Sequence, residues 1–314
     1  MPLLLGGCVA GGSSGDGPAR EIAEKFFALL ASGDTDAIAA IIAPDSTLVP
    51  AVLDREFYAA TIARPTDAEV VEALETEPGT TYVTVDYAIE GEDRSIKIAV
   101  VDVDGEARIS GWLDETLSVG PLRAPGGFEV NGSLTVGELE ESTQFVALPG
   151  IYSFEYVDPT GFGTPDPDGA AKQSFAVEFP VEAPQLTEAA PPGIEALGSG
   201  ISAEPRLLSS VEDDVSRQLA QLVKDCSTSA LTGDDCPADL ASEAATGGAV
   251  DKSSIIWTAD STQVSAPAEE WAFVADYSVA FNRVSAGGRT TLDARYEGVI
   301  VPDALGKPVL ELTR

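Results

Sequence analysis

Apolar residues recur at intervals of three and four between residues 18 and 43, which predicts two short helices. Gly33 is typical of a residue that ends a helix, and Asp34 or Thr35 is typical of one that caps the next. The chain is therefore expected to open its folded part with an αα pair.

After about residue 75 the apolar residues change from helical spacing to alternation. Two further helical segments are predicted at about 50–62 and 67–75. The stretch TTYVTVDYAIEG then alternates apolar and polar residues, and RSIKIAVVDVDGEARISGWL indicates two strands about an Asp-Gly turn. Helices followed by an antiparallel meander predict an α+β domain at about 18–117.

The middle of the chain has no helical period. Residues 118–186 contain short alternating runs and an Asn131-Gly132 turn signal, which predict a small β-sandwich-like module. Residues 187–202 are rich in Ala, Pro, Gly and Ser, which predicts a linker. Residues 203–314 begin with a helical pattern and continue as strands, so a second α+β domain is expected there.

The C-terminal segment has its own signals. Ser210 is predicted to be the N-cap of its helix, and Gly287-Gly288 is predicted to be a hairpin turn between two of its strands. The order of helix and strands repeats that of residues 18–117, so a distant duplication is a hypothesis.

Composition excludes several classes of function. The 314 residues suffice for two or three domains. The formal charge of −34, from 52 acidic and 18 basic side chains, opposes binding to nucleic acids and leaves basic partners or divalent cations open. The chain contains no histidine, which excludes Ser-His-Asp and Cys-His catalysis and histidine-based metal sites. No catalytic residue, metal ligand or cofactor is predicted.

The first residues resemble a bacterial lipoprotein signal. Leu5-Gly6-Gly7-Cys8 matches a lipobox, and the glycine- and serine-rich residues up to 17 form a flexible tether. The stretch lacks a basic region and the ~7–15 apolar residues of a complete signal, so an upstream start is expected. We therefore predict lipidation of Cys8 and anchoring to the extracytoplasmic face of the cell membrane. A chance cysteine in a glycine-rich leader is the alternative.

The two remaining cysteines are ten positions apart. Cys226 and Cys236 flank a Gly-Asp-Asp turn, and a disulfide closing so short a loop contributes about 2.7 kcal/mol in the loop-entropy model. This pairing leaves no odd thiol and agrees with export. Two free buried cysteines are the alternative.

The N-terminal part resembles a known superfamily. FFALLASGDTDAIAAIIAPD, followed by a meander that ends in DGEARISGWL, is similar to the cystatin-like, SnoaL-like cone of the nuclear-transport-factor superfamily. It is especially similar to the versions found in exported lipoproteins of Gram-positive, high-GC bacteria. The resemblance implies a cone-shaped α+β fold for about a third of the chain and assigns no catalytic residue.

Two loops resemble calcium sites. DVDG at 102–105 and DPDG at 166–169 lack the outer ligands of an EF-hand and are interpreted as turns. The alternative to this interpretation is a weak calcium site at Asp158, Asp166 and Asp168.

Three functional hypotheses remain. The first is a non-catalytic cell-surface lipoprotein that binds or scaffolds an envelope partner. The second is a small-molecule-binding protein or enzyme with an apolar pocket in the first cone. The third is a regulatory or assembly protein that binds a basic partner through its acidic face. The residues predicted to line the pocket of the second hypothesis are Phe26, Phe27, Tyr58, Tyr87 and Trp112.

Overall fold

The structure, a computed structural model, describes residues 16–44, 46, 50–112, 117–119, 126–136, 143–166, 174–179, 192–197, 200–265, 270–285 and 288–313. Within these ranges the fold is α+β, which confirms the predicted class. The helices are α1 (Asp16–Ser32), α2 (Thr35–Ala39), α3 (Arg55–Ala59), α4 (Ser209–Thr228) and α5 (Ala238–Ala245), with 3-10 turns at Pro50–Leu53 and Lys252–Ser254. Among the described helices, none combines the length and the hydropathy that a membrane span requires.

The strands of the described residues form four sheets of four strands and one pair. They are β1 (Thr66–Glu77), β2 (Thr80–Ile89), β3 (Glu92–Val103), β4 (Glu106–Trp112), β5 (Leu117–Val119), β6 (Gly127–Val130), β7 (Leu134–Val136), β8 (Thr143–Phe145), β9 (Gly150–Val157), β10 (Gly163–Thr164), β11 (Ser174–Phe179), β12 (Ile194–Leu197), β13 (Gly200–Ala203), β14 (Arg206–Leu207), β15 (Ile256–Ser265), β16 (Trp271–Asn282), β17 (Arg289–Pro302) and β18 (Pro308–Leu312).

The first two helices follow the predicted signals. Gly33 adopts a φ of +73°, and its N–H donates to the Leu29 carbonyl at 2.8 Å, which ends α1. The Asp34 side chain then accepts from the N–H of Ala37 at 3.1 Å and caps α2. The helix α1 packs against the meander β1–β2–β3–β4.

The predicted helix at 67–75 is wrong, because these residues lie in the edge strand β1. Pairing with β2 outweighs the helical spacing of Val70, Val71 and Leu74, and nearly every side chain of β1 is exposed. Three register irregularities interrupt the ladder between β1 and β2.

The β-rich middle of the chain contains two four-stranded sheets, ordered β11-β9-β6-β7 and β12-β13-β5-β8. Asn131 and Gly132, both with positive φ, connect β6 to β7 as predicted. Part of the stretch 187–202, for which composition predicts a linker, forms the hairpin β12–β13. These small residues have weak intrinsic preferences for strand, and the pairing of β13 with β5 holds them in the sheet.

The C-terminal unit consists of α4, α5 and the meander β15–β16–β17–β18. The helix α4 begins at Ser209 with Leu208 in the N-cap position, so the predicted cap at Ser210 is wrong by two residues. The backbone of Leu208 accepts from Val211 and Glu212 without a side-chain cap. Both meanders thus follow a helical segment and share the strand order 1-2-3-4. Gly287 of the predicted Gly287-Gly288 turn lies outside the described residues.

The largest hydrophobic cluster runs from Ala19 to Ala203 and joins the first meander to the β-rich middle. A second cluster joins Phe162 and Leu207 to α4 and β16. At that junction the Trp271 indole N–H donates to the Asp158 carboxylate at 2.9 Å, which ties the C-terminal sheet to the loop after β9. Buried contacts therefore connect all three parts of the chain.

Phe57 tests the continuity of the first cluster, because its ring lies 5.8 Å from that of Tyr152 in β9. We expect Phe57→Ala to lower the free energy of unfolding by about 3–5 kcal/mol, since it leaves a cavity between α3 and the β-rich middle. Urea denaturation measures the change. The control Ile62→Ala, at a side chain that is 53% exposed, should stay within about 0.5 kcal/mol. Equal effects of the two substitutions would contradict a shared core.

Candidate functional site

Four of the five residues predicted to line a pocket in the N-terminal unit are core residues. Phe26, Phe27, Tyr58 and Tyr87 are each at most 3% exposed and belong to the largest cluster. The ring of Phe27 lies 5.6 Å from Phe26 and 5.2 Å from Tyr87. The side chain of Trp112 lies outside the described residues.

The Tyr58 hydroxyl has a structural partner. It donates to the carbonyl of Pro149 at 3.0 Å, which connects α3 to the β-rich middle. Burial raises the pKa of this phenol well above its ordinary range. Tyr58 is therefore neutral at physiological pH.

The predicted pairing of Cys226 with Cys236 is present as a disulfide, with a Cα–Cα distance of 4.9 Å. Cys226 lies in the last turn of α4, and Cys236 directly precedes the Pro237 cap of α5. The bond thus fixes how α4 connects to α5. Cys8 lies outside the described residues.

The calcium-like loops contain turn residues. Asp102 accepts from the N–H of Gly105 at 2.8 Å in the hairpin between β3 and β4. The Asp158 carboxylate accepts from Thr160, Gly163 and Trp271. Asp168 lies outside the described residues, and the described ones contain no group of three acidic or cysteine side chains that could hold a metal ion.

Two adjoining clefts of about 750 and 330 Å³ run along β17 in the C-terminal unit. They share Pro237, Ala238, Arg295, Glu297 and Thr313, and we call them together the C-terminal cleft. The disulfide loop and the start of α5 form one wall, and strands of the meander form the other.

The lining of the C-terminal cleft is strongly acidic. Arg295 is the one basic residue among the described lining residues, and its Nε donates to Asp276 Oδ1 at 2.7 Å. This hydrogen bond lowers the pKa of Asp276 and raises that of Arg295. The acidic lining residues are Asp234, Asp239, Asp260, Asp276, Asp293 and Glu297.

Serines hold two of these carboxylates in place. Ser278 Oγ donates to Asp260 Oδ2 at 2.7 Å, and Ser261 Oγ donates to Asp276 Oδ2 at 3.2 Å. Both bonds cross from β15 to β16, so strand pairing sets the spacing of the acidic side chains.

Two tyrosines lie beneath the cleft, where Tyr296 is buried and Tyr277 is half-buried. Tyr277 and Tyr296 line its two parts, and their ring centroids are 6.0 Å apart. Trp257 supports both rings at 5.7 and 6.3 Å. Burial raises the pKa of both phenols, so both stay neutral.

A related cleft of about 510 Å³ lies along β1, β2 and β3 of the first meander. It contains Asp67, Asp86 and Asp93 beside Arg94, whose guanidinium binds Glu178 at 2.6 Å. Each meander therefore carries an acidic cleft that includes an arginine paired with a carboxylate.

Comparison with models of protein families, with curated proteins and with solved structures finds no match to this chain.

The ion pair between Asp276 and Arg295 predicts a pH effect. We expect the Asp276 carboxyl to titrate below its ordinary pKa of 3.8, because the guanidinium favours the charged form. Its contribution to stability is then present above pH 3.8 and lost as the pH falls through the lowered pKa.

Carbon-detected NMR titration measures this pKa. Arg295→Gln should raise the pKa of Asp276 towards the ordinary value, whereas Arg289→Gln on the same strand should leave it unchanged. An Asp276 pKa that is the same in both variants would show that the ion pair does not form.

Proposed function

We propose that this protein is a non-catalytic lipoprotein of the cell envelope, anchored through Cys8, which binds or scaffolds a partner through its C-terminal cleft. The proposal has two parts, a location and a mode of action. Different residues support the two parts, so each has its own test.

The Cys226–Cys236 disulfide is the observation that carries the location. Disulfides persist in oxidising compartments and are reduced in most cytosolic proteins. The bond closes a loop between two helices of a folded unit, where it stabilises structure. Together with the lipobox-like Leu5-Gly6-Gly7-Cys8, it supports export followed by lipidation.

The helix-then-meander order of residues 18–112 supports a cone of the cystatin-like, SnoaL-like type. The same order in residues 209–312 supports the hypothesis of a distant duplication. Members of one fold carry many unrelated activities, so this proposed kinship assigns no chemistry to the chain.

The packing of the N-terminal unit weighs against an internal pocket, whether for catalysis or for binding a small molecule. An enzyme or small-molecule binder of this shape would use an open apolar interior. Here the ring of Phe27 contacts those of Phe26 and Tyr87 in the core. The C-terminal cleft, in contrast, is open and lined with charged groups, which suits a polar, cationic partner.

Expression from the native upstream region tests the location. We expect a membrane-bound species whose intact mass includes diacylglycerol on Cys8 and lacks two hydrogens because of the disulfide. Cys8→Ser should move the protein to the soluble fraction. The matched control Cys226→Ala/Cys236→Ala should stay in the membrane fraction. An unmodified soluble chain with three free thiols would refute the proposed location.

A further inference from the structure

The edge of β17 is only partly covered. The strand β18 pairs with Gly298–Pro302, and the Thr313 N–H extends this ladder to the carbonyl of Glu297 at 2.8 Å. Among the described residues, no strand pairs with residues 289–296 on that side. The uncovered edge is eight residues long, or roughly 26 Å at the usual rise of a strand.

The hydrogen bonds of β17 to its neighbours determine which of its backbone groups point towards the uncovered side. Residues of an antiparallel strand direct their N–H and C=O groups alternately to one neighbour and to the other. Glu297 bonds towards β18, and the register of β16 with β17 contains no shift. The N–H and C=O groups of Thr291, Asp293 and Arg295 therefore point towards the uncovered side.

The same edge borders the C-terminal cleft. Asp293, Arg295 and Glu297 line the cleft, and their side chains are on the exposed face of the sheet. An added strand would place alternate side chains on that face, beside the carboxylates. Basic side chains at those positions complement the charge of the lining.

We propose that an extended, lysine- or arginine-rich segment of a partner protein adds as a strand to residues 289–296 of β17 and places its basic side chains in the C-terminal cleft. This inference rests on the proposed binding function and names the class of partner. Main-chain hydrogen bonds to the edge would provide affinity, and the acidic lining would select the basic partner.

Charge disfavours other occupants of this edge. A second copy of the chain also carries a formal charge of −34, so edge-to-edge association would bring like charges together.

The edge of β1 differs, because three register irregularities interrupt its ladder and its outward side chains include Glu72 and Glu75. A ladder interrupted in this way makes the edge of β1 a poorer template for strand addition.

Calorimetric titration of the full chain with synthetic peptides tests the proposal. The probe is an acetylated, amidated peptide that alternates lysine with valine or threonine. Two controls match it, one with glutamate in place of lysine and one with N-methyl groups on alternate amides. We expect binding of the lysine peptide alone, weakened by salt.

Variants of the protein separate charge from strand pairing. Asp293→Asn/Glu297→Gln should weaken binding about tenfold or more, and the matched pair Glu72→Gln/Glu75→Gln on β1 should not. Thr291→Pro removes an outward N–H without removing a bond to β16, and it should also weaken binding.

The peptide controls use the unmodified protein, so the test does not depend on whether any one variant folds. Equal binding of the lysine and N-methylated peptides would show attraction by charge alone and overturn strand addition. Equal binding by the two charge variants would place the site elsewhere, and no binding of the lysine peptide would remove the partner class. In each of these cases, a lipid on Cys8 in the mass measurement would still support the proposed location.

Discussion

Each of the two meanders has one apolar face that must be covered, and much of the structure follows from that requirement. Val83 and Val85 are buried in the first sheet, and Phe273 and Ala275 are buried in the second. Burying a side chain of valine or phenylalanine size contributes about 1.5–3 kcal/mol, so each sheet needs a helical partner. The helices α1 and α4 fill that role. The opposite faces remain in water, where they carry acidic side chains without a desolvation cost.

Covering one face of a sheet leaves its two edge strands. In the C-terminal unit, the uncovered part of the β17 edge borders the C-terminal cleft. The disulfide holds the segment before α5, and the Tyr296 hydroxyl donates to the carbonyl of Asp235 at 3.1 Å. These two bonds place the wall beside β17. A local covalent link, a free strand edge and an acidic sheet face thus meet at one site. This arrangement connects the proposed export of the protein to its proposed binding role, because the bond that indicates an oxidising compartment also shapes the cleft.

The sequence shows those features that depend on neighbouring residues. Alternation predicts strands such as β2, the turn at Asn131 has its usual residues, and the ten-residue spacing of the cysteines predicts their pairing. Features that depend on pairing between residues far apart in the chain cannot be predicted from the local sequence. Strand β1 has a helical spacing, and β12 and β13 consist of residues with weak preferences. The acidic lining comes from β15, β16, β17, α5 and the disulfide loop, so no short motif contains it. The alternation of Asp293, Arg295 and Glu297 is its one local signal.

Amide hydrogen exchange along β17, resolved by NMR in the free protein, tests the central claim most directly. The account predicts alternation, because Leu292, Ala294 and Tyr296 donate to β16 while Thr291, Asp293 and Arg295 face the uncovered edge. Slow exchange at the first three residues and fast exchange at the other three would support a free edge in the C-terminal cleft. Equal protection at all six would show that another segment already covers this edge, which would contradict the account.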